Sequence, residues 1–220
     1  MKKVLVLLMA LIMSISILSA CKKDSVSEED KQTVKEIISI YIESLFNGDI
    51  DALNFVAEGT GYLRVAEETL SDQREMLAAF EENISIPDDR VEEARKIRGE
   101  ALKKYTRMYG SEIKDAKVHA EKAEVTVRLT APDVSRVKEF REYAEEESKK
   151  GFSQAEIRNI LSAENMVDIP RETFLKAEKL WFEAFVKKIE KTVCEKEITY
   201  ELKMTDSGWL IAGDRTKKIK

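Results

Sequence analysis

The chain has 220 residues, 36% of them charged and 43% hydrophobic, with a formal net charge of −5. Its eight glycines and three prolines make up about 5% of the chain, less than half of ordinary usage. That scarcity excludes a loop-rich sandwich, a collagenous repeat or a Gly/Pro-rich disordered tail, and the acidic balance argues against nucleic acid as a partner. Long regular elements are predicted instead.

The first element is a leader. Met1-Lys2-Lys3 is a short positive segment, followed by an uncharged stretch from Val4 to Ala20 whose apolar heart is Val4 to Ile17. This is the length of a signal-peptide core and short of the ~20 apolar residues that span a bilayer. The stretch ends Leu18-Ser19-Ala20-Cys21 and turns polar at once with Lys22-Lys23-Asp24. These residues resemble a bacterial lipobox, with Leu at the third position before Cys and two small residues between. The resemblance implies that residues 1–20 are a lipoprotein signal peptide and that a diacylglyceryl group is attached to the Cys21 thiol. Cleavage then leaves Cys21 first, anchored at the extracytoplasmic face of the cell membrane. Two acyl chains suffice for stable anchoring, at about 0.8 kcal/mol per buried CH₂.

Without residues 1–20 the chain loses only Lys2 and Lys3, so its balance moves from −5 to −7. Cys194 is then the one remaining cysteine, which leaves no intrachain disulfide. It is expected as a small buried hydrophobe.

Residues 21–30 read as a polar tether; a flexible run of that length reaches ~15–18 Å. A helix is predicted from Ser27 to Asn47, with Val34, Ile37, Ile38, Tyr41, Ile42, Leu45 and Phe46 at helical spacing and Gly48 at its stop. A short helix follows at Ile50–Ala57, then a break at Glu58-Gly59-Thr60-Gly61. Gly61–Val65 suits a short strand or a turn. Amphipathic helices are predicted at Glu67–Asn83 and Asp88–Tyr109.

After Gly110 the apolar period changes from 3.6 to 2. Ala116, Val118 and Ala120 alternate with Asp115, Lys117 and His119. After a turn near Glu121-Lys122, Ala123, Val125, Val127 and Leu129 alternate with polar residues, a hairpin with one buried face. Residues 133–192 return to helix in three pieces, broken at Gly151 and around Val167–Pro170. Ile198, Tyr200, Leu202 and Met204 then mark a strand, Asp206-Ser207-Gly208 a turn, and Trp209-Leu210-Ile211-Ala212 a short last strand. The tail Arg215 to Lys220 is basic and is expected as an exposed, frayed end, with contact to anionic headgroups as the alternative.

This order of elements points to α+β. A helix ending in FNGDIDAL is similar to the opening of NTF2-like (cystatin-like) domains, and IKDAKVHAEKAEVTVRLTAPD and YELKMTDSGWLIAGD are similar to the hairpins of that fold's sheet. The combination resembles the uncharacterised NTF2-like lipoproteins of Gram-positive bacteria, whose domain has no known function. The resemblance implies a single domain over 31–220, with N-terminal helices on a curved antiparallel sheet. Residues 133–192 would be a helical insertion between the hairpins.

The candidate chemical residues mostly have structural explanations. His119 falls on a polar strand face without neighbouring cysteines, so no zinc site is expected. No histidine follows Ser153, as a nucleophile elbow requires; Ser153 and Glu156 read as a capping box. Gly59-Thr60-Gly61 lacks the rest of a dinucleotide fingerprint. The acidic pairs Glu67-Glu68, Asp88-Asp89 and Glu92-Glu93 and the Glu145–Glu147 run lie on solvated helix faces, because adjacent helical residues diverge. By alternation no Asp or His lands on an apolar strand face, where a catalytic base would project inward. Trp181, Phe182 and Phe185 read as core.

No catalytic, cofactor or metal residue is therefore expected, and Cys21 alone stands as a site. The expectation is a non-catalytic, membrane-tethered module binding a protein, peptide or small ligand. The alternatives are an assembly lipoprotein that oligomerises through its helices and, less favoured, an enzyme with an NTF2-like pocket.

Overall fold

A computed structural model describes residues 28–57, 62–81 and 86–218. Cys21, the leader and the Glu58–Gly61 break lie outside the described residues. Among the described residues the chain is α+β, with seven α-helices and a four-stranded, curved antiparallel sheet in the order β1-β2-β3-β4. It divides into two compact units. One takes the residues up to Leu70 with Ser111–Leu129 and Glu195–Lys220, the other Ser71–Gly110 with Thr130–Cys194.

In the first unit, α1 (Glu28–Asn47) opens on Glu28, Glu29 and Asp30, acidic groups that complement the positive end of the helix dipole. Gly48 stops it with φ 69°. Its N–H donates to Leu45 O at 3.4 Å and the Asp49 N–H to Ser44 O at 2.9 Å, the two bonds of a Schellman turn. Asp49 then caps α2 (Ile50–Ala57). Its Oδ1 accepts from the N–H groups of Asp51 at 3.1 Å and Ala52 at 3.2 Å, satisfying donors the helix cannot. The FNGDIDAL run is thus one helix stop fused to the next helix start.

The third helix begins earlier than expected. α3 spans Leu63–Glu81, where the sequence suggested a strand or turn at Gly61–Val65. Tyr62, Ala66 and Leu70 are all buried and recur every four residues, a helical period too long for the five-residue window 61–65 to reveal.

The sheet is built from β1 (Gly110–His119), β2 (Lys122–Ala131), β3 (Cys194–Thr205) and β4 (Gly208–Lys218). Ala123, Val125 and Val127 of β2, Ile198, Tyr200 and Leu202 of β3, and Trp209 and Ile211 of β4 bury one face in a core shared with α1, α2 and the start of α3. Ala120 does not join that face as alternation suggested. It is exposed in the β1–β2 turn with φ 49°, because the strand ends one residue earlier. β4 is also longer than expected. Arg215 and Lys217 are not a frayed tail but pair with Thr199 and Glu197 of β3. Arg215 further makes ion pairs with Glu124 at 2.5 Å and Glu201 at 3.0 Å, so the basic strand end lies beside acidic neighbours on β2 and β3.

The second unit is helical. Its core joins residues of α3 from Ser71 onward with α4 (Val91–Thr106), α5 (Val137–Lys149) and α7 (Arg171–Glu190). Phe80 is its hub, with ring centroids 5.2 Å from Tyr105, 5.9 Å from Phe182 and 5.5 Å from Phe185. The helical stretch between the hairpins therefore shares its core with Ser71–Gly110 rather than closing one alone. The breaks fall at Gly151 and before Arg171, as predicted. A side chain at Gly151 would place Cβ 2.5 Å from Leu180 Cδ1. α6 (Gln154–Ser162) opens on the predicted capping box. The Glu156 N–H donates to Ser153 Oγ at 3.3 Å, and the Ser153 N–H to Glu156 Oε2 at 2.7 Å.

Candidate functional site

Each unit carries a polar arrangement set into its apolar core. In the first, β4 holds a bulge. Leu202 pairs with Ile211 and Glu201 with Gly213, so Ala212 has no partner on β3. One extra residue reverses the alternation beyond it. Asp214 therefore sits opposite Tyr200, on the sheet's buried face, where strict alternation from Ile211 would have sent it outward.

Asp214 meets a chain of phenols there. The Tyr41 hydroxyl donates to Tyr62 Oη at 3.1 Å, and the Tyr62 hydroxyl donates to Asp214 Oδ2 at 2.5 Å. The Tyr200 ring stands edge-on to Tyr41, with centroids 5.4 Å apart. Asp214 itself is exposed, so the chain runs from a buried hydroxyl to a carboxylate at the surface. Burial pushes the Tyr41 hydroxyl up to about 12 and raises Tyr62 and Tyr200 well above the usual phenol range. All three stay protonated near neutral pH, and Tyr41 and Tyr62 serve as donors.

In the second unit a cleft of about 300 Å³ is lined by residues of α3, α4, α5 and α7. Phe174, Trp181 and Phe182 supply its aromatic wall, with Arg98, Arg141, Glu145 and Glu178 as its charged groups. Arg98 and Glu178 form a bidentate pair, Nε to Oε2 at 2.8 Å and Nη2 to Oε1 at 3.1 Å. Both side chains are nearly buried, at 10% and 11% exposure. The guanidinium also lies 5.7 Å from the Phe182 ring centroid, a cation–π distance. Trp181 stacks on Phe185 at 4.8 Å, so its ring is fixed before any ligand arrives.

The residues singled out in the sequence are scattered. Cys21 lies outside the described residues. His119 is exposed on β1. Ser153 is occupied as a helix cap. Phe182 and Phe185 are core, while Trp181 is half-buried and lines the cleft. Cys194 is exposed, not buried as expected: the inward face of β3 begins at Ile198, four residues after it. Among the described residues no group of His, Cys, Asp or Glu is arranged to hold a metal ion, and no helix is long and apolar enough to cross a membrane.

Two features escaped the sequence. Asp214 was missed because the bulge inverts its face; Gly213, a glycine inside a strand, was the available signal. The Arg98–Glu178 pair joins helices eighty residues apart, and no local pattern announces such a pairing. No family model matches the chain, and no curated protein or solved structure matches it either.

Proposed function

We propose that this chain is a lipoprotein, held at the extracytoplasmic face of the cell membrane by a diacylglyceryl group on Cys21, whose folded part is a non-catalytic binding module. The leader and the Leu18-Ser19-Ala20-Cys21 box support the anchor. The helices on a meander sheet in the first unit are the arrangement implied by an NTF2-like (cystatin-like) domain, which supports that assignment.

The observation that carries the binding reading is the cleft of the second unit. It is concave, has a rigid aromatic wall, and holds a charged pair that is already desolvated. Few polar groups fixed within an apolar pocket are what small-ligand sites generally present. The occupant is a small molecule, or one side chain of a peptide, with an aromatic or aliphatic body.

The chain has two tryptophans, so a Trp209→Phe variant leaves Trp181 as the sole reporter in the cleft. Screening metabolites and peptides against its emission and melting temperature tests the reading. A screen in which no compound moves either signal overturns it. Membrane release of the Cys21→Ala protein on alkaline extraction tests the anchor, and retention refutes it.

A second reading rests on Asp214. A solvent-exposed carboxylate on the tyrosine-bearing side of the sheet, accepting from a buried tyrosine chain, is what a general base in this kind of fold would need. It predicts a turnover that Asp214→Asn abolishes while the fold, followed by circular dichroism, is kept.

A further inference from the structure

The large apolar side chains exposed among the described residues fall within one short stretch. Leu161 is 80% exposed, Val167 68% and Met166 38%. Single apolar residues scattered on a surface are ordinary, whereas a cluster marks an interaction site. The cause is local. α6 contributes no buried residue to the second unit, and its Ile157 and Ile160 are only half-buried. Leu161 extends this apolar side beyond what the unit covers.

Met166 and Val167 sit just after it, in the tight 3₁₀ turn Met166–Asp168. That turn is fixed by its own polar groups. The Asn165 N–H donates to Asp168 Oδ2 at 2.9 Å, and the Ile169 N–H to Met166 O at 3.3 Å. The apolar side chains are held outward by an ordered turn.

We infer that this segment is a membrane-docking wedge, which sinks Leu161, Met166 and Val167 into the headgroup–acyl boundary of the bilayer that carries the anchor. The inference rests on the anchor reading above. Six residues separate Cys21 from Glu28, a span of at most ~25 Å when fully extended. An anchored chain is therefore kept against the bilayer, and a weak apolar wedge becomes effective because docking is intramolecular. Charge identifies the kind of contact. Arg158 and Arg171 are offset by Glu156, Glu164 and Asp168, so the segment has no basic excess with which to seek anionic headgroups. Docking is driven by apolar area and is independent of lipid charge.

The test uses the mature, lipid-bearing full chain in protein-free vesicles of neutral phosphatidylcholine. A fluorophore is attached at Val167→Cys in a Cys194→Ser background, with the exposed helical position Lys179→Cys as control. With nitroxide-bearing lipid present, emission at 167 falls at least about twofold and emission at 179 does not, as an interfacial wedge requires. The ratio is unchanged when anionic lipid or salt is added. Equal emission at the two positions overturns the inference, and so does quenching that needs anionic lipid. A probe shielded in native membranes but unquenched in vesicles also overturns it, in favour of a protein partner. Failure of the anchor reading is seen separately, as a mature mass without the diacylglyceryl group.

Discussion

Replacing Arg98 by Met tests whether the cleft is built on a compensated buried charge pair. The substitution keeps an unbranched side chain at that position and removes the guanidinium, with its contact to the Phe182 ring. Glu178, whose side chain is 11% exposed, would then lose both hydrogen bonds and its counter-charge. At about 4 Å between charge centres and an effective dielectric near 20, the attraction is about 4 kcal/mol. Breaking one side of such a pair generally costs about 3–5 kcal/mol, because the other charge stays buried and unpaired. A loss of about 3 kcal/mol is expected here. With a urea slope of about 2–3 kcal/mol/M, that moves the midpoint by about 1 M. Trp181 emission in the Trp209→Phe background follows the second unit specifically. Glu178→Leu should cost a similar amount, whereas the double Arg98→Met/Glu178→Leu variant should recover most of the loss, since two apolar side chains fit a nearly dry site. Single substitutions costing under about 1 kcal/mol, or a double variant that loses the sum of both, would refute the buried-pair argument.

Tyr62→Phe removes the donor to Asp214 and leaves the Tyr41 hydroxyl buried without its acceptor. It should destabilise the first unit by about 1–3 kcal/mol in denaturant titration, and Asp214→Ala by less, because Asp214 is exposed. Burial raises the phenols of Tyr41, Tyr62, Tyr105, Tyr109 and Tyr200. A raised acid contributes stability that is fully present below its unfolded value of about 10 and is lost as pH climbs toward the folded one, about 12 for Tyr41 and Tyr109. Ultraviolet titration should therefore show these five ionising together with loss of the circular dichroism signal, and gradual ionisation of the intact fold would contradict the assignment. Gly48→Ala forces a Cβ into a left-handed turn and should cost about 1 kcal/mol, read as a lower melting temperature with no change of fold. Deleting Ala212 removes the bulge, so Asp214 should turn outward and the Tyr62 phenol lose its acceptor. Unchanged stability and an unaltered Tyr62 environment by NMR would show that the bulge does not set the face.

Local chemistry was legible wherever it acts over a few residues. The α1 stop at Gly48 and the Ser153–Glu156 box each satisfy backbone groups within one turn of chain, and the breaks at Gly151 and Pro170 are marked by residue type. The misread elements are those in which a distant partner prevails. α3 was missed at its start because its register comes from packing of Tyr62, Ala66 and Leu70. Cys194, expected buried as a small hydrophobe, lies ahead of the inward face of β3, which begins at Ile198. Arg215 and Lys217 resembled a loose tail until β3 supplied acidic and hydrogen-bonding neighbours.

The amino-acid sequence by itself determined the α+β character and the helix boundaries set by caps and glycines, and it carries the lipobox-like run that ends in Cys21. Those follow from periodicity and from short-range hydrogen bonding, both written along the chain. Tertiary structure alone decided that Asp214 faces the tyrosines, that Arg98 meets Glu178, and that Leu161, Met166 and Val167 remain uncovered. Each depends on which surfaces are brought together across long stretches of chain, and on a single unpaired residue, Ala212, that reverses a strand's two faces.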